Sequence, residues 1–164
     1  MRHRAETSLA AHCRARRGEQ GTSVLEFALV LPVLLAMIFG IVELGYIYFA
    51  RATVGKAAQV AVRYAVTGNG DDDGTRLTKV IEEAQRIIEV LPGSATVTVS
   101  SWETYTGATG TGRINDAGAP CELVQVEVRY PYEALTPIIG DLVPDDMVLT
   151  GRERMVNEPW LPCN

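Results

Sequence analysis

The sequence predicts an α+β protein. A long N-terminal transmembrane helix precedes a small extracytoplasmic domain with one amphipathic helix and a three-stranded antiparallel sheet. Three observations predict it. Residues 27–42 read FALVLPVLLAMIFGIV without a charge. Apolar residues between Leu77 and Leu91 recur at spacings of three and four, and two later segments alternate with period two.

The first helix takes up the apolar block. From Val24 to Ala50 only Glu43 and Glu26 carry charge. At 1.5 Å per residue this stretch is about 40 Å long, enough for a hydrocarbon core of about 30 Å. Residues 1–21 carry five arginines against two glutamates, whereas the rest of the chain sums to −8. By the positive-inside rule the leader stays in the cytoplasm and the acidic remainder faces outward, with Tyr46, Tyr48 and Phe49 at the far interface. A soluble core helix, a cleaved secretory signal with Ala50-Arg51-Ala52 as its A-x-A site, and an uncleaved signal-anchor are the alternatives. The block is about twice the usual length of a signal's apolar region.

Beyond the membrane the helix continues as a narrow stripe of Val54, Ala57, Ala58, Ala61, Tyr64 and Ala65. Thr67 to Gly74, rich in Asp and Gly, breaks it. This turn lacks the spaced ligands and closing Glu of a calcium loop and reads as a solvated turn, with Thr75 or Asp73 capping the next helix. That helix spans roughly 75–91. Leu77, Val80, Ile81, Ala84, Ile87, Ile88 and Leu91 form its apolar face, with Arg76, Lys79, Glu82, Glu83 and Arg86 mostly opposite, and Pro92-Gly93 ends it. Strands follow over about 95–102, 123–130 and 147–156. Val124, Val126, Val128 and Tyr130 share one face of the second. The Gly/Thr-rich segment 104–120 reads as an exposed flexible loop, since no Gly-Lys-Ser/Thr follows its glycines. Residues 134–142 read as a Pro-interrupted turn or short helix.

The most informative residues join leader and apolar block: Gly21-Thr22-Ser23-Val24-Leu25-Glu26-Phe27. A glycine followed five residues later by a glutamate and then by an apolar run, behind a basic leader, resembles a class III/IV prepilin cleavage site. The longer match includes Glu26-Phe27-Ala28-Leu29-Val30-Leu31-Pro32, Gly40-Ile41-Val42-Glu43-Leu44-Gly45 and the Ala57-Ala58 and Ala61–Ala65 runs. Over about residues 17–66 the chain resembles the TadE-like minor pilins, or pseudopilins, of the tight-adherence pilus. It departs from them at Gln59-Val60-Ala61, where the family often carries Arg-Glu-Gly, and at Tyr46, where an Arg is common.

The resemblance implies three parts. Residues 1–21 are a cytoplasmic leader removed by a prepilin peptidase, 22–66 a pilin-like helix that spans the membrane over about 24–50, and 67–164 the extracytoplasmic domain. Cleavage between Gly21 and Thr22 creates an α-ammonium on Thr22. Glu26 of one subunit is then expected to pair with the Thr22 ammonium of its neighbour, because an unpaired buried charge is costly. Phe27, Pro32 and Glu43 are the further assembly or recognition candidates. Glu43 is expected to be a snorkelled interfacial acid or, alternatively, an inter-subunit contact; Pro32 is expected to kink or loosen the helix. Thr22 or Ser23 caps the helix N-terminus in this reading. Cleavage removes Cys13 and leaves Cys121 and Cys163 outside the cytoplasm, where a disulfide between them persists.

The implied partners are the prepilin peptidase, other major and minor pilins, and an assembly platform in the inner or plasma membrane, with adhesion as the pilus function. Against this stand an unprocessed single-pass anchor carrying a binding domain, and a small extracytoplasmic enzyme. His3 and His12 both lie in the leader, so the outer part offers no His-based catalysis, and no metal site or cofactor is expected. The Asp145-Asp146 pair reads as solvated surface. A net positive balance in the first 21 residues only, against −8 over the rest, argues against nucleic acid as a partner.

Overall fold

The computed structural model describes residues 6–103, 109–110, 112–136, 144 and 146–163, with backbone alone for 6–21. The elements run α1 (Glu6–Ala65), α2 (Arg76–Ile88), β1 (Thr96–Trp102), β2 (Arg113–Ile114), β3 (Leu123–Pro131) and β4 (Val148–Val156). The class is α+β. The chain divides into two units, Met1–Val42 and Glu43–Asn164, and the division falls within α1.

In the first unit α1 leaves its large apolar side chains exposed: Val24, Leu25, Phe27, Leu29 and Ile41 are each at least 64 % accessible. The helix starts at Glu6 and carries Pro32 in its interior. In the uncut chain Thr22 and Ser23 therefore lie inside a helix; the cap expected of them belongs to the cleaved chain. Residues 6–20 supply the reason, since Ala, Arg, Glu and Gln dominate them and favour helix.

The second unit is built on an antiparallel sheet of order β2-β1-β3-β4. Val97 pairs with Val128 and Val99 with Val126 across β1 and β3, and Val128 with Gly151 across β3 and β4. The sheet has four strands, not three. The extra one, β2, is two residues long and joins β1 through Ser100–Ile114 and Ser101–Arg113. A two-residue strand in a Gly/Thr-rich segment carries no periodicity to read. Part of the segment expected to be an open loop is thus ordered structure, and Ala117 within it is buried. Residues 104–108 and 111 of that segment, most of the expected turn at 134–142, and Asp145 lie outside the described residues.

The core lies between one face of the sheet and the two helices. Val99, Val124, Val126, Val128, Tyr130 and Leu149 meet Ala50, Val54, Ala57, Ala58, Ala61 and Ala65 of α1 and Val80, Ala84 and Ile88 of α2. The expected apolar stripe of α1 is therefore a packing surface of this unit. Its small side chains let the sheet come close, and a Cβ on Gly151 would sit 2.5 Å from the Val54 carbonyl oxygen. Gly in mid-strand here marks a close backbone approach.

Before α2 the expected cap is only partly right. Thr75 occupies the N-cap position without a side-chain cap bond. Instead Asp73 accepts the Thr75 N–H at 3.0 Å and its hydroxyl at 2.6 Å. Arg76, expected on the solvent side, is 4 % exposed. It shares a stripe with Val80, Ala84 and Ile88, the other buried residues of α2.

Candidate functional site

The sequence-derived processing and assembly residues all sit on α1. Gly21 and Thr22 are in helical conformation. Glu26, Phe27 and Pro32 follow on the same exposed stretch. Between Thr22 and Val42 Glu26 is the sole charge. At 1.5 Å per residue these 21 positions span about 31 Å, the thickness of a hydrocarbon core. The helix is long and apolar enough to cross a membrane. Glu26 belongs to the first unit and Glu43 to the second.

Glu43 occupies a site that the sequence reading did not foresee. It is neither snorkelled nor exposed: only 1 % of it is accessible. The loop after β3 wraps its carboxylate. Oε1 accepts hydrogen bonds from the Tyr132 hydroxyl and from the Leu135 N–H at 3.0 Å. Oε2 accepts the Thr136 N–H at 3.0 Å and the Thr136 hydroxyl at 2.8 Å. Four donors thus occupy the roughly four lone-pair positions of a carboxylate. Among the described residues no cation pairs with it, so the charge is held by dipoles alone, with two consecutive backbone N–H groups forming a small anion nest. Tyr132 also packs on Tyr46, one helical turn beyond Glu43, with ring centroids 5.8 Å apart. Burial, then the hydrogen bond to Glu43, pushes the Tyr132 phenol far above its ordinary pKa.

A second hub joins the end of α1 to the C-terminal tail. The Arg76 guanidinium donates to the Ala65 carbonyl from Nε at 3.0 Å and Nη2 at 2.7 Å, to Ala117 at 3.1 Å and to Gly118 at 2.6 Å. It thereby adds to the single long turn bond, from the Gly68 N–H at 3.4 Å, that the Ala65 carbonyl accepts at the helix terminus. Asp71 of the acidic turn lies 3.3 Å from Nη1, and the Trp160 ring centroid lies 4.5 Å from the guanidinium carbon. The structure joins Cys121 to Cys163 with Cα atoms 5.8 Å apart. That bond and the Glu158 N–H to Val66 carbonyl bond, at 3.0 Å, hold the tail along the domain.

Beside this hub, Asp116 accepts the Ser101 hydroxyl at 2.6 Å, Arg113 Nε at 2.7 Å and the Gly118 N–H at 3.1 Å. Burial opposes its charge, but these bonds outweigh it and hold the carboxyl below its ordinary value. Arg113 is correspondingly raised, first by its bond to Asp116.

Sequence reasoning missed Tyr132, Thr136, Arg76 and Gly151. Arg76 was legible, because it lies four, eight and twelve residues before Val80+4n positions of the buried stripe, namely Val80, Ala84 and Ile88. The Glu43 partners were not, since two of the four donors are backbone N–H groups.

Residues 21–63 match the model of the TadE-like protein family. No curated protein and no solved structure matches the chain.

Proposed function

We propose, taking the TadE-like segment at residues 21–63 as premise, that the protein is a minor pilin, or pseudopilin, of a Tad-type pilus. It is made as a precursor with its arginine-rich leader in the cytoplasm and its second unit outside. A prepilin peptidase cuts between Gly21 and Thr22. The mature helix spans the membrane over about residues 22–42, because packing within the second unit starts at Glu43. The subunit then passes through a membrane assembly platform into a pilus with other pilins, where it serves priming, tip structure or adhesion. Its role is structural and not catalytic.

The observation that carries this reading is one juxtaposition. The family match begins at Gly21, and the 21 residues after it form an exposed apolar helix whose sole charge is Glu26. In lipid this helix meets acyl chains; in a filament it meets other helices, and Glu26 pairs with the Thr22 ammonium of a neighbour. Such a pair favours one axial register because any other leaves a charge buried alone.

A second reading draws support from the helical backbone through the Gly21–Thr22 bond. A peptidase needs that bond unwound, whereas an uncut signal-anchor does not. Determining the N-terminus of the membrane-extracted protein, with and without the prepilin peptidase, decides between them. A Thr22 start that depends on the peptidase is the expected result; a Met1 start in both cells leaves an unprocessed anchor that carries a binding domain.

A further inference from the structure

The second unit begins at Glu43, directly after the stretch read above as the membrane span. Leu44, Tyr48 and Phe49 in its first two turns are each more than half accessible. From residue 50 to the end of α1 no large apolar side chain is exposed. The exposed positions there are Arg51, Ala52, Lys56 and Arg63. The free surface of α1 therefore changes from apolar to basic between Phe49 and Arg51.

The other side of these turns is covered by the loop after β3. Tyr46 turns inward and packs on both Phe49 and Tyr132, with ring centroids 6.4 Å and 5.8 Å away. Leu135 and Thr136 of the loop donate their backbone N–H groups to the Glu43 carboxylate, yet the Leu135 side chain is 57 % accessible. Large apolar side chains are thus exposed both on the free side of the helix and on the loop that covers its packed side. At 1.5 Å per residue, Thr22 to Phe49 measures about 42 Å; a hydrocarbon core is about 30 Å thick, and a bilayer with its headgroup regions about 40–45 Å.

We propose that this rim of the second unit is seated in the outer interface of the membrane, with Leu44, Tyr48, Phe49 and Leu135 among the upper acyl chains and Arg51 at the lipid phosphates. The loop after β3 is then a second membrane-contact segment, remote from the span in sequence. Lipid surrounds a helix on all sides without a special fit, whereas a docked protein covers one side. Aromatic rings suit the headgroup level, and a long Arg stem reaches its phosphates from apolar surroundings. A carboxylate at that depth has little water to draw on and must be satisfied from within; the four donors on Glu43 do so. Glu133, exposed in the same loop, has to stay in reach of water, which confines the loop to headgroup depth. The inference rests on the membrane-span reading, but not on cleavage after Gly21 or on entry into a pilus.

The test uses the full-length protein in phosphatidylcholine vesicles whose acyl chains are brominated near the headgroup. The emission of an introduced tryptophan is read against the parent, whose own tryptophans are Trp102 and Trp160. Leu135→Trp is expected to lose at least half as much emission as Leu34→Trp, which lies in the span, while the parent loses little. An unquenched Leu135→Trp beside a quenched Leu34→Trp overturns the rim and leaves the span standing. If neither is quenched, the span reading fails and the rim with it. Quenching of the parent as strong as that of Leu135→Trp also overturns the proposal, because the contact is then not confined to the rim. Since a substitution can disturb the loop, the unaltered protein is also photolabelled with a phospholipid that carries a diazirine in its upper acyl chain. Label on residues 132–136 is expected; label confined to α1 overturns the proposal.

Discussion

Glu43 is the residue whose chemistry is most demanding. A buried carboxylate without a cation survives only because four donors converge on it. Glu43→Ala strands those donors, and an orphaned buried donor costs about 1–3 kcal/mol. With part of the loop relaxing toward water, the loss is expected to be on the order of 3 kcal/mol. Thermal unfolding in detergent measures it, and an unchanged midpoint would refute the role given to the loop. Gly151→Ala is expected to cost about 1–3 kcal/mol by overpacking, since the new methyl meets the backbone of α1 at Val54. Asp116 sets a pH dependence. Its folded pKa lies below its ordinary value of 3.8, so between the two values the unfolded chain binds more protons. The stabilisation is complete above the ordinary value and is lost as pH falls through the folded one. Unfolding midpoints of Asp116→Asn against the parent between pH 6 and pH 2 are expected to converge at the acid end.

Among the elements, α1 serves two environments along one helix. Its residues 22–42 expose apolar side chains, whereas Ala50 to Ala65 bury small ones against the sheet. Small residues there are a packing choice, because they bring the helix backbone to β4. The C-terminal tail is an element without secondary structure, held by the Cys121–Cys163 bond, by Trp160 on Arg76 and by Asn157, whose Nδ2 donates to Ala117 at 2.9 Å and to Ala119 at 2.8 Å. Closing a loop of 42 residues is worth about 2–4 kcal/mol. Cys121→Ser is expected to lower stability by that amount and to open a protease-sensitive site after residue 157. Resistance equal to the parent would mean that the remaining contacts suffice. The apolar face of α2 was legible from spacing, and so were the strands, because both depend on local periodicity; β2 was not, because two residues have no period.

For the molecule as a whole, the outcome to be measured is assembly. Glu26→Ala is expected to retain at least partial cleavage after Gly21 and to enter pili poorly, as judged by subunit content of sheared filaments; normal incorporation would remove the register argument. The TadE-like match, the apolar span and the basic first 21 residues were all present in the one-dimensional chain. Membrane segments, helix faces and alternating strands are written in the order and polarity of neighbouring residues, so the sequence by itself determined the class and the N-terminal motif. Only the tertiary structure decided what Glu43 does, where packing begins, and why Arg76 is buried. The partners of Glu43 lie 89 to 93 residues further along the chain, and half of its donors are main-chain amides. Every non-proline residue carries such an amide, so no side-chain pattern marks which of them a fold will turn toward a buried charge.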